Sequence, residues 1–195
     1  VAQVNTQRLL DIGRNAMYFE DYIVAIQNFN QVIKAKPYLT EPYLFRAFAK
    51  LNLEDYYGAI SDCDAALEIN PFLPKVYYCR GFAYRQLGEL EKSTEDFKKS
   101  LEFDPNNINT GCLMIENMIR QEKTDEALLA CENLIQEYPG HVNTYILRSQ
   151  IYLAQQDTTL ALMDLDSAIV HNKFADLPYA IRGMVKYSQK DYNSA

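Results

Sequence analysis

The sequence predicts an all-α fold: a single array of short antiparallel helix pairs, about eleven helices in all, stacked one pair on the next. Three observations carry this reading. A small residue returns every 34 residues, at Ala25, Ala59, Ser93, Ala127, Ala161 and Ala195. Proline returns on the same step at Pro37, Pro71, Pro105 and Pro139, until Lys173 breaks the series. The stretch EDYYGAISDCDAALEINP, from Glu54 to Pro71, nearly restates FEDYIVAIQNFNQVIKAKP, which ends at Pro37. A fixed period of roughly 20–50 residues marks a repeat array and outranks local propensity.

The register divides the chain into repeats at 6–39, 40–73, 74–107, 108–141 and 142–175, with a partial sixth at 176–195. In the third, Pro74 suits a first helical turn, where its missing N–H costs little. Val76, Tyr77, Ala83, Tyr84 and Leu87 then recur at helical spacing, and Gly88 ends that helix. A second helix carries Phe97, Leu101 and Phe103, and Pro105 closes it. Helices of about 14 residues are marginal alone in water, so each pair must bury its apolar face on its neighbours. Gly81 and Ser93 let the two helices of the pair approach closely. The second repeat follows with Tyr43, Ala47, Ala59, Ala66 and Pro71, and the fifth with Tyr145, Ser149, Tyr152, Ala161 and Ala168. The fourth departs: Ile115 fills the small-residue slot while Gly111 stands where other repeats place tyrosine, which keeps total volume roughly constant. In the sixth, Leu177, Ala180, Ile181, Met184, Val185 and Tyr187 form an apolar surface with no second helix to cover it.

A second correlation runs through the repeats. Arginine occupies one first-helix slot at Arg46, Arg80, Arg148 and Arg182. Sixteen residues on, the first three of these have Asp62, Asp96 and Asp164, whereas the repeats with Ile12 and Met114 have Asn28 and Ala130. The expectation is an ion pair across each helix pair, Arg46–Asp62, Arg80–Asp96 and Arg148–Asp164, suited to the bidentate geometry of guanidinium. Pairing between repeats, Asp62 with Arg80 and Asp164 with Arg182, is the alternative.

The period, with Tyr77, Arg80-Gly81, Tyr84, Ser93, Phe97 and Pro105 at their spacing, resembles the tetratricopeptide repeat, and its general style is similar to bacterial envelope repeat proteins. The resemblance implies a right-handed superhelical solenoid and a non-enzymatic interaction module that presents a concave groove to a peptide or protein segment. It places Leu10, Arg14, Met17, Leu44, Phe48, Leu51, Lys75, Tyr78, Phe82 and Arg85 on the groove. Cys112, Glu116, Ile119, Ile146, Gln150 and Leu153 follow in the later repeats. Phe48, Tyr78 and Phe82 are the expected aromatic patch. One family subtype clamps a peptide's C-terminal carboxylate; of its slots, here Leu10, Arg14, Phe45, Lys75 and Cys79, only Lys75 fits. The alternative function is a structural scaffold or oligomerising spacer in a longer chain, self-associating through the uncapped C-terminal helix.

Composition excludes other classes. A net charge of −7 with scattered lysines and arginines makes nucleic acid and anionic membrane poor partners. No apolar run approaches the roughly 18 residues of a membrane helix. Cys63, Cys79, Cys112 and Cys131 form no CxxC pair, and Cys63 and Cys131 share the slot that Phe29 and Phe97 fill elsewhere, as buried small hydrophobes would. Cys79 and Cys112 lie on first helices of neighbouring repeats. His141 and His171 read as solvated surface groups. No catalytic, metal-binding or cofactor-binding constellation is found. The N-terminal VAQVNTQ reads as the tail of a cleaved export signal, with a periplasmic or envelope location, or as a boundary within a longer chain.

Overall fold

The computed structural model describes residues 5–189, so the export reading at the N-terminus and the Ala195 slot lie outside the described residues. Eleven α-helices and no strand occupy them: α1 (Thr6–Tyr18), α2 (Tyr22–Ala35), α3 (Thr40–Asn52), α4 (Tyr56–Ile69), α5 (Pro74–Gln86), α6 (Leu90–Phe103), α7 (Ile108–Arg120), α8 (Thr124–Glu137), α9 (Val142–Ala154), α10 (Thr158–His171) and α11 (Asp176–Ser188). The chain divides into two compact units, Val1–Thr110 and Gly111–Ala195. In the first unit α1–α2, α3–α4 and α5–α6 are packed pairs, and α2–α3 and α4–α5 join them in series. In the second, α8 packs on α9, α9 on α10 and α10 on α11.

The recurring small residues are where the helices of a pair touch. Ala25, Ala59, Ser93, Ala127 and Ala161 are all fully buried. A second rule acts across each pair, between residues sixteen apart. Gly13 stands against the ring of Phe29, and Gly81 against that of Phe97. The other repeats place Ala47 with Cys63, Ile115 with Cys131 and Ser149 with Leu165 in the same two slots, and all six are fully buried. The bulk of Ile115 is thus matched by a small residue on the second helix. Gly111 meets a different neighbour, Leu134, whose Cδ1 lies 3.1 Å from where a Cβ would stand.

The turn joining the two helices of each pair is identical in its bonding. The residue after the first helix's C-cap has a left-handed backbone in each of the five full repeats: Glu20, Glu54, Gly88, Glu122 and Gln156. Its N–H donates to the carbonyl three residues back, and the next N–H donates to the carbonyl five back, as in Asp55 to Lys50 at 2.8 Å. This is the Schellman closure, which satisfies the last orphan carbonyls. The same next residue is the N-cap of the second helix, and the side chains of Asp21, Asp55 and Asp157 accept from the backbone of Val24, Gly58 and Leu160. Only the third repeat has glycine at the left-handed position. Glu54→Gly is therefore expected to stabilise the chain by about 0.5–1 kcal/mol in urea unfolding, the relief of the left-handed penalty less the added entropy of the unfolded chain.

The arginines tie repeats together as well as closing their own pair. Arg46 Nε donates to Asp62 Oδ2 at 2.8 Å and Nη2 to Oδ1 at 2.5 Å, while Nη1 reaches back to Asn30 Oδ1 at 2.5 Å. Arg80 repeats this with Asp96 at 2.8 and 2.7 Å and with Asp64 at 2.6 Å. Arg148 holds Asp164 at 2.8 and 2.7 Å, and Arg182 reaches back to Asp166 at 2.7 Å. The carboxylates lie sixteen residues ahead in the same repeat. The bond to the preceding repeat goes to the residue sixteen behind, rather than to Asp62 or Asp164 as the alternative pairing proposed. Each guanidinium also lies over a first-helix tyrosine, Tyr43, Tyr77, Tyr152 or Tyr179.

Candidate functional site

Two cavities open on the first unit between α3 and α5. The larger, of about 610 Å³, takes Thr40, Glu41, Leu44, Phe45 and Phe48 from α3. From the start of α5 it takes Leu73, Pro74, Lys75 and Tyr78, and the end of α6 and the following loop add Ser100, Asp104 and Asn107. The smaller, of about 220 Å³, is lined by Phe48, Leu51, Asn52, Tyr78 and Phe82. Leu44, Phe48 and Leu51 recur at helical spacing and so share one face of α3, as Tyr78 and Phe82 do on α5. Phe48 and Tyr78 belong to both cavities and join them into one apolar trough. Ring contacts hold its walls: Tyr78 stacks on Phe82 at 6.5 Å and meets the buried Phe97 at a tilt at 6.0 Å, and Phe45 stacks on Phe29 at 5.8 Å.

Six of the groove positions expected from the sequence, Leu44, Phe48, Leu51, Lys75, Tyr78 and Phe82, line this trough. Others do not. Leu10 is 4% exposed because it packs into the core of the first two repeats with Ala16, Ala25 and Phe29. Arg14 is engaged rather than open: it pairs with Glu41 on α3 and lies over Phe45 at 5.4 Å. Met17 and Arg85 are half-buried outside both cavities. In the second unit Cys112 and Ile146 are buried, Glu116, Ile119 and Leu153 are half-buried, and Gln150 is exposed. Phe45, read from the sequence only as a clamp slot, also lines the cavity, and Glu41 was missed because it sits beside the expected face. Ser100, Asp104 and Asn107 were missed because no first-helix periodicity reaches the end of a second helix.

Among the described residues, His141 and Cys112 approach each other without forming an activated acid–base pair. His141 is half-buried, not a solvated surface group: Nδ1 lies 2.8 Å from Thr144 Oγ1 and 3.9 Å from Cys112 Sγ, and burial lowers its pKa. Burial pushes the Cys112 thiol up. Both shifts favour the neutral thiol and neutral imidazole, the reverse of an activated thiolate–imidazolium pair. His171 is exposed and stacks on Tyr145 at 5.5 Å. The cysteines are free and buried; Cys79 shares a core with Cys63, whose thiol is raised by its bond to Cys79 and by burial, and burial pushes Cys131 up to about 12. Among the described residues no group of three or more His, Cys, Asp or Glu could hold a metal ion, and no helix is long and apolar enough to cross a membrane.

The family model of the tetratricopeptide repeat matches residues 74–107, the 34 residues of α5, α6 and the loop after them; the other four full helix pairs repeat its turn, and the pairs α3–α4 and α9–α10 repeat its arginine tie. Residues 74–107 are thus a tetratricopeptide repeat. No curated protein matches it by sequence. Among solved structures, this chain is similar to residues 41 to the end of MamA from Desulfovibrio magneticus RS-1, at 14% identity and a TM-score of 0.81, covering 90% of this chain and 99% of that one. It is similar to YrrB, described as a TPR protein with an unusual peptide-binding site, at 16% identity and 0.75, covering 89% and 90%. Both likenesses are of fold. The first TPR of Spaghetti (RPAP3), solved bound to the HSP90 peptide SRMEEVD, is 27% identical with a TM-score of 0.60, covering 63% of this chain and 97% of its own.

Proposed function

We propose that this chain is a non-enzymatic interaction module whose first unit holds an extended peptide or protein segment in the trough between α3 and α5. One observation carries the reading: Phe48 and Tyr78 are shared by two adjoining cavities, so an apolar surface runs continuously along the first helices of the second and third repeats. Aromatic anchors in a concave apolar site are what short segments bind to. That YrrB and the Spaghetti domain are described as binding peptides supports the same class of partner. An internal segment fits better than a chain terminus, because a carboxylate clamp would have Lys75 as its one available cation: Leu10 and Cys79 are buried and Arg14 is taken by Glu41.

The test is selection of a random peptide display library on the chain, with affinities then measured by fluorescence anisotropy. Phe48→Ala and Tyr78→Ala are each expected to weaken selected peptides by roughly tenfold or more, the scale of an interface hot spot. Tyr57→Ala, at an exposed side chain outside both cavities, is the control and is expected to leave affinity unchanged. Unchanged affinity in both trough variants overturns the assignment.

A second reading, an oligomerising scaffold, is favoured by α11, where Met184 is 71% and Tyr187 66% exposed. Self-association seen by light scattering and abolished by Met184→Lys, together with no peptide capture, would move the assignment to it.

A further inference from the structure

Arg182 is the repeat arginine whose pairing is incomplete. Arg46, Arg80 and Arg148 each place Nε and Nη2 on an aspartate sixteen residues ahead, on the second helix of the same pair. Arg182 uses only Nη1, on Asp166, and lies over Tyr179 at 5.3 Å. Among the described residues nothing accepts from its Nε or Nη2. One turn on stands Lys186, half-buried and also without an acid among the described residues. It occupies the slot of Lys50, which joins Arg46 in holding Asp62, with Nζ 2.9 Å from Oδ2. Two cations in the register that holds one buried carboxylate are thus left without that carboxylate. Beside them is Gly183. A Cβ at Gly13 or Gly81 would meet the ring of Phe29 or Phe97 at 3.0 Å or less, but a Cβ at Gly183 meets nothing within 4 Å. Where the full repeats put glycine in this slot, the second helix answers with phenylalanine, and in the third repeat that Phe97 directly follows the paired Asp96. Tyr179, Arg182, Gly183 and Lys186 share one side of α11, while Met184 lies about half a turn round the helix from them.

From this register we infer that the Tyr179–Lys186 face of α11 docks an amphipathic helix supplied by another protein, one that carries an aspartate followed by phenylalanine. The carboxylate takes Nε and Nη2 of Arg182 with Lys186 beside it, and the ring fills the space over Gly183. Charge complementarity selects the acid, because two cations stand unmatched. A helix is selected because Asp96 and Phe97 reach Arg80 and Gly81 from one. A second copy of this chain has no such pair to offer: Asp96–Phe97 is the one Asp–Phe step in the sequence, and both residues are buried within their own repeat. The face is separate from the α3–α5 trough, so neither assignment depends on the other.

The probe is an acetylated and amidated peptide of the sequence Glu89–Phe103, held helical by a hydrocarbon staple between positions 91 and 95, both exposed on α6. Titrated into the full chain and followed by NMR, it is expected to shift the Gly183 amide and the Arg182 Nε–H saturably. Peptides carrying Asp96→Asn or Phe97→Ala are expected to bind roughly tenfold more weakly or worse. Arg182→Met in the chain is expected to erase the preference for aspartate over asparagine, and Met184→Lys to leave affinity unchanged. No shift on α11, shifts confined to α5 where the peptide would replace its parent helix, or equal affinity of the aspartate and asparagine peptides overturns the inference. Contacts from residues 190–195 to Gly183 in the free chain would overturn it by giving the face to the chain's own end. Self-association abolished by Arg182→Met and retained in Met184→Lys would overturn it by giving the face to a second copy.

Discussion

Replacing Arg80 by methionine is expected to destabilise the chain by about 3–5 kcal/mol, because it strands a buried carboxylate. Asp96 is 5% exposed and receives two hydrogen bonds from this one guanidinium. The two partners respond in different ways. Asp96 holds Arg80 firmly protonated, while burial lifts the Asp96 carboxyl above its usual range in spite of the arginine. Desolvation of the acid thus offsets much of what the pair returns, so the intact pair contributes little net stability and a broken one costs a great deal. Arg80→Met with Asp96→Leu is accordingly expected to lie within about 1 kcal/mol of the unaltered chain, a strong departure from additivity. Asp64, half exposed, tolerates the loss of its bond.

The pH dependence gives an independent check. A carboxyl whose folded pKa is raised contributes stability below its unfolded value, and that contribution is lost as pH rises through the folded value. Removing Arg80 raises the folded pKa of Asp96 further. The deficit of Arg80→Met is therefore expected to shrink as pH falls from neutrality toward the ordinary aspartate range. Urea unfolding of single and double variants at several pH values measures this; additive single effects and a pH-independent deficit would contradict the buried-pair account.

The second large effect is expected from exchanging the packing pair of the third repeat for that of the fourth. A Cβ on residue 81 would lie 3.0 Å from two ring carbons of Phe97 and 3.1 Å from Asp96 Cβ, so Gly81→Ile alone overpacks the contact and is expected to cost about 1–3 kcal/mol. Phe97→Cys alone empties a fully buried site and is expected to cost about 3–5 kcal/mol. Together they reproduce the Ile115–Cys131 combination, and the cycle is expected to show about 1–3 kcal/mol of favourable coupling. Thermal and urea unfolding of the four proteins decides it. Zero coupling would show that the two slots do not share a volume.

Much of this was legible in the residues themselves. Ala25, Ala59, Ser93, Ala127 and Ala161 mark closest approach of helices because only a small side chain fits there, and a fixed period makes them visible in one dimension. The link between Arg80 and Asp96 was legible for the same reason: sixteen residues is a constant offset across one helix pair. Leu10 shows where this reading stops. Its position places it on the same face as Leu44, yet the neighbouring helices cover one and leave the other in a cavity. Likewise, Glu54 looks like any surface glutamate until its backbone is seen to be left-handed.

By itself, the sequence determined the architecture: the 34-residue period, the number of helices per repeat, the small slots and the arginine–aspartate offset. These are properties that each repeat shares with the next, and repetition writes them into spacing. Only the tertiary structure decided which groove residues keep a surface, which carbonyls and carboxylates each arginine spans, and that Ser100 on a second helix meets a cavity formed mainly by two first helices. The physical reason is that burial at a given position depends on the side chains of three or four neighbouring helices at once, and no single period carries that sum.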